Sequence, residues 1–589
     1  MRRIFATLVM LSLVFCFACD AKRYRPTKLP PARNAVLISI DMLRADHLGT
    51  YGYSKPTSPN LDKLAKEAIR FDRAYSSSNW TLPGHAGMLT GRMSSWHGGI
   101  QLHDAIRESV PLVSQVLQAR GVRTAALTSH IYVSPRYGFE RGFDYFEFEQ
   151  NRAAPVITDK AVAWLETQGD EPFFLFLHYF DVHNPFGQGG APVGRFTSDP
   201  ECRGPVTVHE AVAAAYQENW DAFDCITALY DADIALVDRE LGRLFEYLKH
   251  RGLLEETLLI VTSDHGELLG KGEGVTHGLT LREPEIRVPL LIRFPGAAAG
   301  NTAVPHLVSN IQLTPTILES MGAPAFDTDL PSLFPLLAGG APPTWLGVET
   351  DSIRYQQIGI VGERYKLILP PTYHIMDTRL APMLIDIKGS EEENLWEKHP
   401  ERVRDMLGRA EQSGWYGRGT CHEFVHRFGP DVGPVKLRFS FPEDRPPVYV
   451  RPWRRAVQVK PGGFFDVWPH LRRSPGTIEL RLKPGEHPMG IVFVMPEGVQ
   501  ARAEVFFSGA QRPAVLWGEE KTEWDGASKG LPTEAGAWQA VTRPDGAFIQ
   551  ARSYRVLDLE RPNGGRSGVP VDLTNDEERD LRTLGYLGM

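Results

Sequence analysis

Cysteine is scarce in this chain, which has five among 589 residues, and two of the five, Cys16 and Cys19, lie close to the N-terminus. The other three are Cys202, Cys225 and Cys421, and none of their spacings resembles a zinc-binding knuckle. We favour a Cys202–Cys225 disulfide, with three separate thiols as the alternative. A chain of this length can bury at least one large core and is not a small disulfide-stapled module.

An excess of positive charge is also lacking. The 64 basic and 72 acidic residues are interspersed and give a formal net charge of −8, so no basic stripe is available for a phosphate backbone. Internal repeats and low-complexity tracts are absent from the sequence as well, which excludes solenoid and fibrous proteins. With 42% hydrophobic and 23% charged residues, the composition is that of a folded globular protein with two or three domains and no nucleic-acid partner.

Apolar runs long enough to cross a membrane do not occur after position 18. The N-terminus has two arginines followed by the apolar run 4–18, which predicts a secretory signal peptide over 1–18. Residues 15–20, FCFACD, resemble a bacterial lipobox in which Cys19 is lipidated, but Cys16 stands where Leu is usual. A plain signal peptide or an uncleaved anchor therefore stays open. We expect a periplasmic or cell-envelope lipoprotein, held to the membrane by a lipid anchor and a tether over 19–33.

What the sequence does contain is an alternation of buried strands and helices. Continuous apolar, β-rich runs at 35–40, 124–128, 172–177 and 257–263 predict strands of a parallel sheet. Periodic segments at 58–69, 81–89, 110–119 and 222–249 predict the helices between them. The pattern indicates an α/β domain over 34–396, with a mostly parallel sheet flanked by helices.

The texture changes towards the C-terminus. After a connecting helix and linker at 397–429, short alternating runs separated by Pro and Gly predict a β-sandwich-like domain over 430–565. Its Arg451, Trp453 and Trp468 either form a carbohydrate-binding face or pack on one another.

Polar side chains follow three of the predicted strands. Asp41 ends the first, Asp181 and His183 follow the third, and Asp264 and His265 follow the fourth. Because open α/β sheets bind ligands at the carboxyl ends of their strands, we expect these residues to converge.

A helix start at Thr81 joins the set. Pro83 suits a first helical turn, Gly84 permits close backbone approach, and the free N–H groups would hold an oxyanion beside the Thr81 hydroxyl. Read alone, this stretch favours a capped core helix.

The convergence favours a metal site. Two carboxylates, a hydroxyl and an imidazole, from Asp41, Thr81, Asp264 and His265, suit Mg²⁺, Mn²⁺ or Ca²⁺ and tolerate Zn²⁺. A divalent ion there would activate Thr81 as a nucleophile. His183 and His277 are candidate proton donors, or structural histidines. They also combine with Asp181 as a candidate second metal site.

These residues lie in motifs that resemble the sulfatase family of the alkaline phosphatase superfamily. The motifs that carry the resemblance are 41–52 (DMLRADHLGTYG), 58–62, 81–98, 263–267 (SDHGE), His277 with Gly278, 287–290, Lys366, 384–386, 393–395 and 576–587. The resemblance covers about 35–396 and the last residues, several motifs in the family order make it specific, and 566–589 resembles a C-terminal tail packing on the catalytic domain. It implies the same α/β fold, a divalent metal and an anionic ester substrate, either a small molecule or a glycan.

Departures from the family pattern bear on mechanism. Sulfatases have a Cys or Ser at the Thr81 position and oxidise it to formylglycine, a route closed to Thr. His85 stands where the signature ends in Arg, and we count it with Thr81, His183 and His277 among the candidate catalytic residues. Met42 replaces a second metal-binding Asp, and Ser129-His130 stands where Lys-x-His is expected. Other members of the superfamily use an unmodified Thr beside metal, so fold and site carry over better than substrate.

The resulting hypothesis is a metal-dependent hydrolase of a phosphate, phosphonate or sulfate ester with Thr81 as nucleophile. Two alternatives stay open: a catalytically weakened binding protein for anionic glycans, and a phospho-headgroup transferase. The sequence does not predict the oligomeric state.

Overall fold

The computed structural model describes residues 22–23, 29–100, 104–217, 219–270, 274–351, 356–369, 383–389, 391 and 393–412, and beyond these a series of separate β-strands between 417 and 570. The predicted signal peptide, Cys19, most of the tether, Trp468, the run 456–460 and residues 571–589 lie outside the described residues.

Strands of the α/β region alternate with helices along the chain. In chain order the strands are β1 (Lys22–Arg23), β2 (Asn34–Ile40), β3 (Ile69–Tyr75), β4 (Asp104–Ala105), β5 (Arg123–Thr128), β6 (Tyr145–Phe148), β7 (Phe173–Tyr179), β8 (Thr257–Thr262), β9 (Leu268–Leu269), β10 (Val275–Thr276), β11 (Arg287–Val288), β12 (Leu290–Arg293), β13 (Thr302–Ser309), β14 (Trp345–Asp351), β15 (Gln356–Gly362), β16 (Tyr365–Leu369) and β17 (Met383–Asp386). The α-helices are α1 (Pro59–Ala65), α2 (Thr81–Thr90), α3 (Ser94–His97), α4 (Val113–Gln118), α5 (Ala154–Glu166), α6 (Val208–Tyr216), α7 (Trp220–His250), α8 (Glu283–Ile286), α9 (Leu313–Ser320), α10 (Phe334–Leu337) and α11 (Pro400–Gln412).

The central sheet is mostly parallel, as predicted. Its strand order is β1-β13-β3-β12-β8-β2-β7-β5-β6, with β11 beside β3. Strands β8, β2, β7, β5 and β6 pair in parallel, and β12 is antiparallel to both its neighbours. This arrangement confirms the α/β prediction and places the carboxyl ends of β2, β7 and β8 at one edge.

Both faces of the sheet are covered. Leu37, Phe176 and Ile260 belong to one hydrophobic core, whereas their chain neighbours Ile38 and Leu177 belong to a second core on the opposite face. Side chains alternate between the faces of a strand, so a strand buried on both faces must be apolar throughout. This requirement explains why the continuous runs predicted these strands.

Element boundaries differ from prediction in one place that matters for the sheet. The helix predicted over 58–69 ends at Ala65, and Ile69 already begins β3. Ile69 and Phe71 are buried while Arg70 and Asp72 are half-buried, an alternation typical of a strand, not a helix.

Three further antiparallel sheets follow in the chain. Strands β14 to β17 form a four-stranded sheet in sequential order. The C-terminal strands form two five-stranded sheets, one from β18 (Gly417–Arg427), β20 (Tyr449–Arg454), β23 (Met489–Pro496), β26 (Gln539–Thr542) and β27 (Phe548–Asp558), the other from β19 (Val435–Ser440), β21 (Leu471–Ser474), β22 (Thr477–Leu482), β24 (Arg502–Phe507) and β25 (Ala514–Trp517). A last short strand, β28 (Val569–Pro570), pairs with β4 of the α/β region.

Two other sequence-based expectations bear on the chain's location. Cys202 and Cys225 form a disulfide, with Cα atoms 5.3 Å apart, which confirms the favoured pairing. Within the described ranges, helices fall short of the length and apolarity that crossing a membrane requires.

Candidate active site

The carboxyl ends of the central strands bring four predicted metal-site residues together. Asp41 follows β2, Asp264 and His265 follow β8, and Thr81 is the first residue of α2. His265 Nε2 lies 3.5 Å from Asp41 Oδ1, 3.3 Å from Asp264 Oδ2 and 3.3 Å from Thr81 Oγ1. All four side chains are fully buried. The structure therefore places the predicted metal residues around one point.

The atoms at this point fit a divalent cation. Among the described residues, Asp41 Oδ1 and Asp264 Oδ2 are buried carboxylate oxygens without a well-aligned hydrogen-bond donor, although His85 Nδ1 lies 3.2 Å from Asp264 Oδ2. Burying such oxygens is costly unless a cation compensates. His265 Nδ1 donates to the carbonyl of Gly266 at 2.8 Å, which leaves the lone pair on Nε2. The ligand atoms of Asp41, Asp264 and His265 all lie within 4.8 Å of one another. Oxygen donors with one imidazole match the donor preferences of Ca²⁺, Mg²⁺, Mn²⁺ and Zn²⁺.

The pKa values of the Asp41 and Asp264 carboxyl groups are shifted in opposite directions. Burial raises the pKa of Asp41 well above its usual value, and the neighbouring charges of Asp264 and Glu267 raise it further. Burial alone would also raise the pKa of Asp264, but His265 and His85 hold it below its usual range. Burial lowers the pKa of His265 to about 4, so its imidazole is neutral near pH 7 and available as a ligand.

A second layer of histidines supports the carboxylates. His178 Nε2 lies 3.0 Å from Asp41 Oδ2, and its Nδ1 accepts a long hydrogen bond from the backbone N–H of Ser129. His178 thus donates to Asp41 from Nε2. His178 stands opposite Ser39 in the parallel register of β2 and β7. Ser39 is the second-last residue of β2, the strand that Asp41 follows.

His85 also lies in this supporting layer. Its Nδ1 is 2.9 Å from the carbonyl of Thr81 and 3.2 Å from Asp264 Oδ2, and its Nε2 is 3.0 Å from Ser39 Oγ. A carbonyl only accepts, so Nδ1 carries the proton and both ring nitrogens are engaged. Asp41, His85 and His178 also lie within 4.8 Å of one another, but their nitrogens already serve these hydrogen bonds. In this position His85 holds Asp264 and the first turn of α2, a role that sequence reasoning did not anticipate.

His183 and His277 flank the metal residues. The His277 ring lies 4.6 Å from the His265 ring and 5.1 Å from the His183 ring, measured between centroids. His183 Nδ1 donates to the carbonyl of Asn184 at 2.7 Å, and its ring stacks on Phe180. His277 therefore lies against the candidate metal ligand His265, and His183 lies against His277.

Asp181 is not grouped with these histidines. Its Oδ1 accepts from the backbone N–H of Ala154, the first residue of α5, at 2.9 Å. Within the described part of the chain, the sets of three ligands close enough for one ion all contain Asp41, and neither includes Asp181, His183 or His277. The structure thus does not assemble the candidate second metal site.

An aromatic wall extends from the start of α2. Trp80 meets Tyr132 edge to face at 5.4 Å, Tyr132 lies 5.0 Å from His130, and His130 stacks on Phe180 at 4.7 Å. His130 is the residue found where Lys-x-His was expected. Its ring is stacked relative to the His183 ring, with the two centroids 6.1 Å apart.

Sequence reasoning missed His178, Ser39, Glu267 and His130 as parts of the site. Glu267 had a usable signal, since it follows Asp264, His265 and Gly266 in one motif. His178 and Ser39 had none, because both lie inside apolar strands and only the register between β2 and β7 reveals that they face the same cluster.

Comparisons with known proteins agree with this fold. The family model described as Sulfatase matches residues 33–323. N-acetylglucosamine-6-O-sulfatase of Bacteroides thetaiotaomicron is 23% identical over 431 residues, which cover 57% of this chain and 76% of that protein. Human N-sulphoglucosamine sulphohydrolase is 27% identical over 318 residues, covering 50% of this chain and 61% of that protein. The solved structure of the phosphonate monoester hydrolase of Agrobacterium radiobacter has the same fold, with a TM-score of 0.52, 20% identity, and coverage of 65% of this chain and 94% of that one.

Proposed function

We propose that this chain, which matches the sulfatase family over residues 33–323, is a metal-dependent hydrolase of anionic esters in which Thr81 is the nucleophile. The observation that carries the proposal is the position of Thr81 Oγ1, 3.3 Å from His265 Nε2 at the first turn of α2. The same His265 nitrogen lies 3.5 Å from Asp41 Oδ1 and 3.3 Å from Asp264 Oδ2, so the hydroxyl and the two buried carboxylates belong to one cluster.

Asp41, Asp264 and His265, with the Thr81 hydroxyl, would hold the divalent ion. When bound, such an ion lowers the pKa of a coordinated hydroxyl and neutralises charge that develops on the ester oxygens. The protein's own contribution is to fix the ligands. His178 holds Asp41, His85 holds Asp264, and Gly266 fixes the tautomer of His265.

Thr81 then attacks the central atom of the ester as an alkoxide, its proton having passed to solvent. A bond forms between Thr81 Oγ1 and sulfur or phosphorus, and the bond to the leaving oxygen breaks. The backbone N–H groups at the start of α2 are placed to stabilise the anion under attack. Water subsequently releases the covalent intermediate.

Thr81 also favours phosphorus over sulfur as the reacting centre. A formylglycine hydrate expels sulfate by collapse of a hemiacetal, and Thr has no such route. An O-sulfated Thr81 would therefore persist, whereas a phosphate or phosphonate ester can be hydrolysed at phosphorus. Two of the sulfatases among the relatives act on glucosamine derivatives by name, so sulfated sugars belong in the substrate panel with phosphate diesters and phosphonate monoesters.

The test is metal analysis followed by a substrate panel of aryl sulfate, sulfated glucosamine, phosphate diester and phosphonate monoester. We expect Thr81→Ala to lose at least roughly 10³-fold in kcat/KM, as removal of a nucleophile does in other hydrolases. Thr81→Ser is the matched control, because it keeps the hydroxyl and should retain turnover. Full activity in Thr81→Ala, or purified protein that binds no divalent metal, contradicts the proposal.

Mass spectrometry of acid-quenched enzyme separates sulfur from phosphorus chemistry. With aryl sulfate we expect one released phenol per enzyme and a stable adduct on Thr81. With phosphonate monoester or phosphate diester we expect continuous turnover. Continuous turnover of aryl sulfate by unmodified Thr81 would contradict the preference for phosphorus.

We also propose that the protein is exported and anchored through Cys19. The signal-like sequence 1–18 and the Cys202–Cys225 disulfide both suit an oxidising compartment outside the cytoplasm. Expressed in a bacterium, wild type should partition into detergent while Cys19→Ser appears in the aqueous phase, and Cys16→Ser should behave as wild type. Equal partition of wild type and Cys19→Ser contradicts lipidation.

A further inference from the structure

Glu267 is a buried acid that the steps described above do not use. Only 1% of its surface is exposed, and its Oε2 lies 3.1 Å from His277 Nδ1. Its other oxygen, Oε1, accepts from the backbone N–H of Leu268 at 2.8 Å. The Glu267 carboxyl group is therefore fixed by the backbone on one side and bonded to the His277 imidazole on the other.

We infer that Glu267 is a positioning residue that orients His277 for proton donation to the leaving group of the ester. The inference rests on the proposed hydrolysis at Thr81. It adds a residue for which neither the family motifs nor the metal site assign a role.

The local backbone is built to hold this pair. Strands β9 and β10 are antiparallel with Thr276 opposite Leu268, so Glu267 and His277 are the residues just outside that matched pair. Thr276 has φ of 72°, a left-handed conformation that β-branched residues rarely adopt. Such strain persists only where the surroundings enforce it, and it clusters at functional sites. The turn thus places His277 in one orientation against Glu267.

A second set of bonds ties His277 to the nucleophile's loop. The backbone N–H of Gly278 donates to the carbonyl of Asn79 at 3.1 Å, and Asn79 Nδ2 donates to the carbonyl of Thr280 at 2.7 Å. Glu285, also buried, accepts from Asn79 Nδ2 and from the N–H of Thr280. The distance between His277 and Thr81 is therefore set by backbone contacts on both sides.

His277 is the member of this set that reaches solvent. It is 8% exposed, whereas Asp41, Thr81, Asp264 and His265 are completely buried. A leaving group departs on the side opposite the attacking oxygen, and it must depart towards solvent. His277 holds one ring nitrogen against Glu267, which leaves Nε2 on the ring's opposite side.

Proton transfer from His277 accompanies departure of the leaving group. As the bond between the central atom and the leaving oxygen breaks, its electron pair goes to that oxygen, and the proton on His277 Nε2 moves to it. The leaving group departs as a neutral alcohol, and His277 is left neutral while still bonded to Glu267 through Nδ1. In the second half of the reaction, His277 Nε2 takes a proton from the attacking water and is restored.

Leaving-group dependence tests the inference directly. Proton donation matters for a poor leaving group such as phenol and little for 4-nitrophenol, which departs unaided. Phenyl and 4-nitrophenyl esters of the same anion, the one that wild type hydrolyses best, are compared in full-length protein with its metal content measured.

We expect Glu267→Gln to lower kcat/KM by about 10–100-fold on the phenyl ester, as the loss of an orienting partner does elsewhere, and by less than about threefold on the 4-nitrophenyl ester. His277→Gln should show the same selectivity with a larger loss. Glu349→Gln is the matched control, a buried glutamate whose side chain bonds Ser95 in α3, and it should leave the ratio of the two rates unchanged.

Equal losses on both esters in Glu267→Gln, with metal content and thermal unfolding as in wild type, overturn the inference. So does a wild-type ratio in that variant. A failure of the proposed hydrolysis looks different, because wild type itself would then turn over neither ester. If Glu267→Gln fails to fold, Glu267→Asp is measured instead; it keeps the charge, and a ratio shifted in the same direction by a smaller factor supports the inference, while an unchanged ratio contradicts it.

Discussion

Removing divalent metal should destabilise the α/β region measurably, because it leaves two buried carboxyl groups, Asp41 and Asp264, without a compensating cation. Asp41 and Asp264 are completely buried, each has one oxygen without a well-aligned hydrogen-bond donor among the described residues, and the two charges raise the pKa of Asp41. A ligand present at 100 times its dissociation constant stabilises a folded state by about 2.7 kcal/mol. With roughly 2 °C per kcal/mol for a large domain, chelation should lower Tm by about 5 °C.

The assay is thermal unfolding of full-length protein with and without EDTA, followed by separate addition of Ca²⁺, Mg²⁺, Mn²⁺ and Zn²⁺ with metal content determined in each sample. Asp264→Asn removes one charged ligand and should abolish the response to EDTA. Asp238→Asn is the matched control: Asp238 is equally buried but bonds the backbone of Asn60 and Leu61, so its response to EDTA should equal that of wild type.

The pH dependence of this Tm shift has a predicted direction. Protons compete with metal for Asp41, whose pKa burial raises, so the Tm shift on chelation should shrink as pH falls. The reasoning is refuted if wild type carries no metal after purification in each of the four ions. It is equally refuted if EDTA leaves the Tm of metal-loaded wild type unchanged.

Two further changes test how the site and its surroundings are packed. A Cβ on Gly84 would lie 2.7 Å from the carbonyl oxygen of Asp264, so Gly84→Ala should cost about 1–3 kcal/mol of unfolding free energy and weaken metal binding. Gly408→Ala, with open space around it, should do neither. Unchanged denaturation and metal titration in Gly84→Ala would contradict the close approach. Burial raises the pKa of Asp181 to about 6, above about 3.9 in the unfolded chain, so its stabilising contribution is complete below pH 4 and is lost as pH rises through 6, by up to roughly 3 kcal/mol. Asp181→Asn keeps an oxygen for the N–H of Ala154, so its stability should fall less than that of wild type between pH 4 and 8 in urea titrations while its metal content stays unchanged; parallel pH profiles would contradict the assignment.

The central strands were predictable because both faces of each strand are buried. Runs such as 35–40 and 257–263 contain no charged residue and are mostly apolar, and a parallel sheet under two helical layers favours that pattern. Strand β3 escaped prediction because it carries Arg70, Asp72 and Arg73, which are half-buried. Its charges pair locally, Arg70 with Asp72 at 2.9 Å, so the strand does not read as apolar.

The metal residues were predictable for a related reason. Asp41 and Asp264 each end an apolar strand, and strand direction alone places them at one edge. The supporting residues depend on finer geometry. His178 reaches Asp41 through strand register, His85 reaches Asp264 through a helix that returns to the sheet, and neither relation is written in local sequence.

His85 and Thr81 are two positions at which this sequence differs from the sulfatase signature that it resembles. Within the described residues, the hydrogen bonds and ion pairs of Asp41 and Asp264 come from imidazoles, hydroxyls and backbone, and none comes from Lys or Arg. Burial lowers the pKa of His178 and His265, so these rings are neutral near pH 7. A guanidinium at position 85 would supply a permanent charge, whereas the His85 imidazole bonds Ser39 through Nε2 and contacts Asp264 through Nδ1. A bound cation is then the main positive charge opposing the two buried carboxylates. In the proposed mechanism the same cation would activate Thr81, so His85 and Thr81 together would make that mechanism depend strongly on a bound metal.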